Sequence, residues 1–184
     1  MYLVISTSRS PKSRSRILAR HVFNGLESAG ANTTFVDLCD LNLPRCDADT
    51  CYAEPAAQEI SQLVKEARGI VLATPIYNFD CGSEAKNLIE LTGQNWRDTV
   101  VGFLCAAGGQ GSYMSIMQLA NSLMLDFRTF VLPRFVYATG AAFAGDNITD
   151  NDLLDRLQGF SSEMTRVTEC LFGGQVPGSD QSVS

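Results

Sequence analysis

The sequence predicts an α/β domain in which a doubly wound, five-stranded parallel sheet carries helices on both faces. Short apolar runs alternate with segments of helical spacing along the chain, as is typical of repeated βαβ units. The runs at 69–73 and 100–104 are apolar on both faces, which indicates strands covered by helices on either side. The length of 184 residues suits one domain with a substantial core.

The five strand candidates are short, apolar and in part β-branched. We expect Pro75 to end the third strand, because proline has no N–H for the ladder. The candidates lie at 2–6, 33–37, 69–74, 100–106 and 129–137.

Helices are predicted between and after these strands, because apolar residues recur three or four positions apart. The last helix has the strongest apolar stripe. The residues are Leu18, Val22 and Leu26; Ile60, Leu63, Val64 and Ala67; Tyr113, Ile116, Met117, Ala120 and Met124; and Leu153, Leu157, Phe160, Met164, Val167 and Leu171. Residues 1–172 are predicted to form the domain, and 173–184 a disordered tail.

Composition excludes several classes of protein. The net charge is −6 and the basic residues form no stripe, which argues against nucleic-acid binding. No apolar run approaches the roughly 20 residues that cross a membrane. Met1 leads directly into a strand, which leaves no room for a signal peptide. Six cysteines without such a signal predict a reducing, cytoplasmic location.

Ligands of doubly wound sheets bind at the carboxyl ends of the strands. Three loops of unusual composition follow predicted strands there. We name them the serine loop (7–15), the Tyr-Asn loop (74–82) and the glycine loop (106–112).

The serine loop predicts an anion site at the start of a helix. It contains four serines and three cations, and unpaired amides at a helix N-terminus favour negative charge. It has no glycine, so it is neither a dinucleotide fingerprint nor a P-loop. The alternative is a solvated polar turn in which Ser13 or Ser15 caps the helix.

The other two loops suit a flat heteroaromatic ring. The Tyr-Asn loop combines aliphatic, aromatic and amide groups, which contact ring faces and edges. The glycine loop allows a backbone to approach a ring closely. Each loop alone is equally consistent with an ordinary turn. Together the three predict a site for a mononucleotide such as FMN.

These motifs resemble the NADPH-dependent FMN reductase family of flavodoxin-like proteins. The family's phosphate loop corresponds to residues 7–15, its T-P-x-Y-N motif to 74–78 with Lys86-Asn87, and its glycine pair to Gly108-Gly109. The resemblance spans residues 1 to about 140 and implies a flavodoxin-like fold. Thr7 stands in place of the family's first glycine, and Ser10 in place of its arginine. Two alternatives follow: Arg9 supplies that charge from the adjacent position, or hydroxyls and amides hold more of the phosphate.

The resemblance implies which residues bind the cofactor. The serine loop would hold the FMN phosphate, the Tyr-Asn loop would line the isoalloxazine, and the glycine loop would approach its pyrimidine side. The implied residues are Ser8, Arg9, Ser10, Ser13, Arg14 and Ser15; Pro75, Ile76, Tyr77 and Asn78; and Ala107, Gly108 and Gly109. All are positioning residues, and no catalytic residue is assigned.

The resemblance also implies an NAD(P)H-dependent FMN oxidoreductase that reduces a small acceptor such as a flavin, a quinone or an azo compound. Two alternatives remain open. One is a flavodoxin-type electron carrier, since net negative charge steers basic partners. The other is a nonenzymatic FMN-binding module that senses redox state. The family further implies a homodimer or homotetramer.

Three cysteines, Cys39, Cys46 and Cys51, lie close together in the loop after the second strand. They are interpreted as either a redox pair or metal site, or as reduced loop thiols. Their spacing lacks the paired C-x2-C pattern of zinc sites, which favours reduced thiols and no metal. Cys105 and Cys170 are expected to be small core residues, and His21 to lie on the first helix without a catalytic role.

Overall fold

The structure, a computed structural model, describes residues 1–173. The main sheet contains seven strands, and five α-helices pack on it. The strands are β1 (Tyr2–Ser6), β2 (Thr33–Asp37), β3 (Gly69–Tyr77), β4 (Asp80–Cys81), β5 (Val100–Ala107), β6 (Phe130–Val131) and β7 (Val136–Thr139). The helices are α1 (Arg14–Ser28), α2 (Pro55–Glu66), α3 (Ser83–Thr92), α4 (Met117–Phe127) and α5 (Asn151–Phe172).

The strand order β2-β1-β3-β5-β6 confirms the doubly wound parallel sheet. Neighbouring strands along this path are parallel, and only the short β4 pairs antiparallel, with β3. The chain moves from β1 outward to β2 and then returns to β3 on the other side of β1. The switch in direction therefore lies between β1 and β3, where such sheets bind their ligands.

The fifth predicted strand, 129–137, is wrong as a single strand. Val131 pairs with Val101, and Val136 pairs with Leu104. The segment thus inserts two extra residues relative to β5, and it divides into β6 and β7. Pro133 lies in the interruption, where it has no N–H to donate to the ladder. With β4, this division makes seven strands where five were expected.

The prediction that Pro75 ends the third strand is also wrong. β3 continues to Tyr77, and Pro75 pairs with Ala106 of β5. The pairing of β3 with β1 ends at Ala73, so Pro75 lies where that side of β3 has no strand partner. A missing N–H is tolerated on such an edge, and β3 extends into the Tyr-Asn loop.

Two apolar layers enclose the sheet. Helices α1 and α5 cover one face through residues such as Leu18, Val22 and Leu157. Helices α2, α3 and α4 cover the other. The strands β3 and β5 are buried along almost their whole length, as their sequences predict. They form a rigid base for the loops that leave their carboxyl ends.

The apolar stripes are confirmed for the first two helices and corrected at the ends of the others. In α4 the buried residues include Leu119 and Leu123, whereas Met124 is partly exposed, and Tyr113 precedes the helix. Leu171 at the end of α5 is exposed. Cys105 is buried in β5, as expected, but Cys170 is exposed, so its assignment to the core is wrong.

After β7 the chain forms a two-stranded hairpin outside the main sheet, β8 (Phe143–Ala144) and β9 (Asn147–Ile148). Four short 3₁₀ segments lie at 50–53, 93–96, 110–116 and 140–142. Of the predicted tail, 173–184, only Gly173 is described, and 174–184 lie outside the described residues. None of the helices within residues 1–173 has the length and apolar character needed to cross a bilayer.

Candidate functional site: a cavity at the carboxyl edge of the sheet

The serine, Tyr-Asn and glycine loops surround one cavity of about 1220 Å³ at the carboxyl edge of the sheet. Twelve of the thirteen residues predicted for the site line this cavity, and Arg9 is the exception. The twelve are Ser8, Ser10, Ser13, Arg14, Ser15, Pro75, Ile76, Tyr77, Asn78, Ala107, Gly108 and Gly109.

The serine loop leads into the N-terminus of α1. The Ser13 hydroxyl accepts a hydrogen bond from the Arg16 amide at 3.1 Å and caps the helix. It also lies 3.0 Å from the Ser15 hydroxyl. Free amides of the first helical turn carry the positive end of the helix dipole. Lys12 and Arg14 add positive charge on the same wall of the cavity, so this end of the cavity suits a phosphate.

Arg16 braces the serine loop from behind and was not identified from the sequence. Its guanidinium donates to the carbonyl oxygens of Ser10 at 2.7 Å and Ser8 at 2.9 Å. It also forms an ion pair with Asp37 at the end of β2. Hydrogen bonding to Asp37 raises the pKa of Arg16. Because Arg16 occupies the carbonyl oxygens of Ser8 and Ser10, it orders the serine loop, whose amides are presented at the N-terminus of α1.

Arg9 points away from the cavity. Its guanidinium donates to the carbonyl oxygens of Leu38 and Leu41, at 3.1 and 3.3 Å, in the segment that follows β2. Of the two alternatives for the missing arginine, this geometry favours a phosphate held more by hydroxyls and amides. Thr7 ties the start of the loop to β3, since both its amide and its hydroxyl donate to the Ala73 carbonyl.

The Tyr-Asn loop is a tight turn between β3 and β4. Asn78 and Phe79 both have positive φ, at 51° and 64°. Asparagine tolerates this region, but a bulky aromatic residue there is strained. The Gly82 amide donates to the Pro75 carbonyl and closes the turn. The strained turn leaves Tyr77 57% exposed and Phe79 71% exposed at the cavity mouth, where aromatic groups are accessible to a ligand.

The glycine loop brings bare backbone to the opposite wall. A Cβ atom built at Gly108 or Gly109 meets no atom within 4 Å, so the space in front of this backbone is open. The Tyr137 hydroxyl donates to the Gly109 carbonyl at 2.6 Å and holds the loop in place. The arrangement allows a flat ring to lie close to the loop amides.

The hairpin of β8 and β9 forms a further part of the wall. Phe143, Gly145 and Asp146 line the cavity, and the Arg14 guanidinium lies 5.9 Å from the centre of the Phe143 ring. Sequence reasoning missed this element. Gly145-Asp146 between Phe143 and Ile148 has the composition of a two-residue hairpin turn, which was the available signal.

Neither the histidine nor the cysteines belong to this cavity. His21 is half-buried on α1 and lies outside the cavity lining. Within residues 1–173, no three His, Cys, Asp or Glu side chains are grouped so that they could hold a metal ion.

The residues present fit a flavin mononucleotide. The serine loop offers hydroxyls, helix-terminal amides and cations to a terminal phosphate. Pro75, Ile76 and Ala107 offer apolar contact to a ring, and the open backbone at Gly108 leaves space that a side chain would fill. A doubly wound sheet with this cavity defines a flavodoxin-like mononucleotide-binding protein.

Comparisons with known proteins narrow this class. Residues 2–144 match the family described as NADPH-dependent FMN reductase. An NAD(P)H-dependent FAD/FMN reductase of Geobacillus thermodenitrificans is 30% identical over 145 residues, which cover 77% of this chain and 78% of the relative. The chain therefore belongs to the NADPH-dependent FMN reductase family. FMN is accordingly its cofactor, and a reduced nicotinamide nucleotide its electron donor.

Solved structures confirm the fold. The flavoenzyme FerB of Paracoccus denitrificans superposes with a TM-score of 0.76 at 20% identity, covering 92% of this chain and 97% of that one. An FMN-dependent NADH-azoreductase from Bacillus anthracis, solved in complex with FMN, superposes with a TM-score of 0.61 at 15% identity, covering 91% and 99%. At these identities the likeness extends to the fold.

Replacing Ser13 by alanine is expected to weaken FMN binding by about 1–2 kcal/mol, the loss of one hydrogen bond to a charged group. Because Ser13 also caps α1, the variant should lose about 1 kcal/mol of folding stability as well. Fluorescence titration with FMN and chemical denaturation measure the two effects separately. Ser13→Gly keeps most of the cap stability and should show the same loss of affinity. Unchanged affinity in both variants would mean that the phosphate lies elsewhere.

Proposed function

We propose that the protein is an FMN-containing oxidoreductase that takes electrons from NAD(P)H and passes them to a small acceptor such as a flavin, a quinone or an azo compound. The observation that carries this proposal is the meeting of the three loops around one cavity. Membership of the NADPH-dependent FMN reductase family supports it. When bound, FMN supplies the hydride-accepting and electron-donating chemistry.

In this proposal the chain's own residues bind and orient. Ser8, Ser10, Ser13 and Ser15 hold the phosphate together with the first amides of α1, and Arg14 balances its charge. Pro75 and Ile76 pack against the ring system, and their burial keeps water from that side. Amides of Gly108 and Gly109 donate to the polar edge of the ring. These contacts fix the ring at the edge of the sheet.

The cavity mouth is proposed to admit the nicotinamide nucleotide and then the acceptor. The cavity is open to solvent, and the exposed rings of Tyr77 and Phe79 border it. Such rings offer stacking surfaces to a second flat molecule. Because the nicotinamide nucleotide and the acceptor would use the same cavity mouth, we expect them to bind one after the other.

Anaerobic addition of NADPH to the purified yellow protein tests this function. The flavin absorption band should bleach within the mixing time of a manual experiment, and a quinone added afterwards should restore it. A parallel titration with NADH measures the preference between the two nucleotides. Bound flavin that only dithionite reduces would contradict the reductase and support the electron carrier. Failure to take up any flavin would contradict both and leave only a nonenzymatic module that binds another phosphate ligand.

We also infer a homo-oligomer, as a dimer or a tetramer, in a reducing compartment such as the cytoplasm. Several large apolar side chains are exposed, among them Leu125 at 84% and Met114 at 61%, and burying them against a second copy of the chain would be favourable. All six cysteines are free, as is usual where thiols stay reduced. Light scattering at micromolar concentration should give a multiple of 20.0 kDa; a monomer would remove the inference.

A further inference from the structure

Two cysteine side chains outside the flavin cavity face each other. The sulfur atoms of Cys46 and Cys51 are 3.9 Å apart, although five positions separate the residues in the chain. Cys39 lies apart from them, with its thiol directed at the Arg9 carbonyl at 3.6 Å. A disulfide needs a sulfur separation of about 2.05 Å, so the pair would have to close by about 1.9 Å.

A turn organised by Asp47 brings the two sulfur atoms together. Its carboxylate accepts hydrogen bonds from the Thr50 hydroxyl at 2.6 Å and from the amides of Asp49 and Cys51 at 3.0 Å each. The Thr50 hydroxyl, followed by the Cys51 amide, holds the pKa of Asp47 well below its ordinary value. The carboxylate is therefore charged at neutral pH, and the turn is ordered before any bond forms.

The amide of Cys46 is anchored to α3, which fixes one side of the turn. That amide donates to the Asn87 side-chain oxygen at 2.9 Å, and the Asn87 amide group donates to the Pro44 carbonyl at 2.9 Å. Residues 47–49 belong to no helix or strand. Closure therefore requires only a local movement of a short segment, for which the entropy of loop closure is small.

The two sulfur atoms differ in access to solvent. Cys46 is half-buried, whereas Cys51 is 2% exposed. Burial, together with the neighbouring Asp47 carboxylate, raises the pKa of the Cys51 thiol. Since the thiolate is the attacking species and needs access, Cys46 is suited to attack an external partner, and Cys51 to act second from within.

We propose that Cys46 and Cys51 are a redox-active dithiol that forms a reversible disulfide by exchange with a low-molecular-weight disulfide. The Cys46 thiolate attacks one sulfur of that disulfide, whose S–S bond breaks and releases one thiol. Cys51 then attacks the Cys46 sulfur of the mixed disulfide and releases the second thiol. The two cysteines lose two electrons, the external disulfide gains them, and the two cysteine protons pass to the released thiols. This site is separate from the flavin cavity and does not depend on the proposed function.

Thiol trapping tests the dithiol. The FMN-loaded protein is equilibrated in mixtures of reduced and oxidised glutathione, quenched with N-ethylmaleimide and analysed by intact mass and peptide mapping. As the oxidised fraction rises, two maleimide adducts should disappear from the segment that contains Cys46 and Cys51, and dithiothreitol should restore them. Cys51→Ser should instead accumulate one glutathione on Cys46, because the second attack is blocked.

Matched variants distinguish the effect of the Asp47 turn from the general reactivity of the protein's thiols. Cys39→Ser and Cys170→Ser should leave the transition unchanged. Asp47→Ala should require about a tenfold more oxidising glutathione ratio, because hydrogen bonds to a charged group no longer hold the turn. Six alkylated thiols in every mixture would overturn the proposal, as would a disulfide that maps to another pair or a Cys51→Ser variant that carries no glutathione on Cys46.

Discussion

Replacing Arg16 by methionine is expected to lower the free energy of unfolding by about 2–3 kcal/mol and to weaken FMN binding at least about tenfold. The substitution leaves the Asp37 carboxylate, which is 7% exposed, without its cation. Removing one partner of a buried pair typically costs about 3–5 kcal/mol, and we reduce that range because Arg16 is 19% exposed. The carbonyls of Ser8 and Ser10 also lose their donors, so the serine loop is no longer ordered for a phosphate.

The stability and binding effects of this variant can be separated. Adding Asp37→Asn to Arg16→Met removes the uncompensated charge, so it should recover part of the stability but not the FMN affinity. Arg20→Met is the matched control on the same helix. Its guanidinium stacks 3.7 Å from the centre of the Phe35 ring, which is worth about 0.5–1 kcal/mol at exposed sites, and it touches no part of the serine loop. Denaturant titration and FMN fluorescence measure both quantities. Wild-type affinity in Arg16→Met would show that the brace does not order the site.

Replacing Gly108 by leucine is expected to weaken FMN binding by about 5- to 150-fold while the protein still folds. A Cβ atom at position 108 meets no protein atom within 4 Å and the backbone does not need positive φ, so we expect the fold to tolerate the new side chain. The side chain instead occupies the space in front of the glycine loop. Inserting a larger side chain into a packed space usually costs about 1–3 kcal/mol, and we take this cost as the loss in FMN binding free energy.

Gly159→Leu is the matched control for Gly108→Leu. Gly159 lies in α5 and also has no atom within 4 Å of its built Cβ, but it is outside the flavin cavity. Replacing a glycine inside a helix by leucine should raise the free energy of unfolding by about 0.5–1 kcal/mol. FMN affinity should stay unchanged. Equal FMN affinity in the two variants would contradict the assignment of the glycine loop to the ring. Equilibrium dialysis measures the affinity, and thermal unfolding shows whether both proteins are folded.

Much of the site followed from local patterns in the sequence. The apolar run before the serine loop and the stripe of Leu18, Val22 and Leu26 after it place that loop at a helix N-terminus. The same reasoning places the Tyr-Asn and glycine loops after β3 and β5. Because parallel strands end on one edge, the three loops had to converge, and the cavity confirms that they do.

Other features depended on contacts between distant segments. The guanidinium of Arg9 is drawn to the carbonyls after β2, and Arg16 instead reaches the loop carbonyls and Asp37. Nothing in a local pattern decides which of these two arginines faces which partner. Pro75 was misread for the same reason, since it is tolerated in β3 only because β1 has already ended.

The sequence by itself determined the order of strands and helices, the edge of the sheet at which the loops meet and the chemical character of each loop. These properties depend on residue periodicity and composition, which act over a few neighbouring positions. Only the tertiary structure decided the division of the last strand, the β8–β9 wall, the Arg16 brace and the approach of Cys46 to Cys51. Each of these depends on the direction of a side chain or backbone group in space, which packing between distant segments imposes.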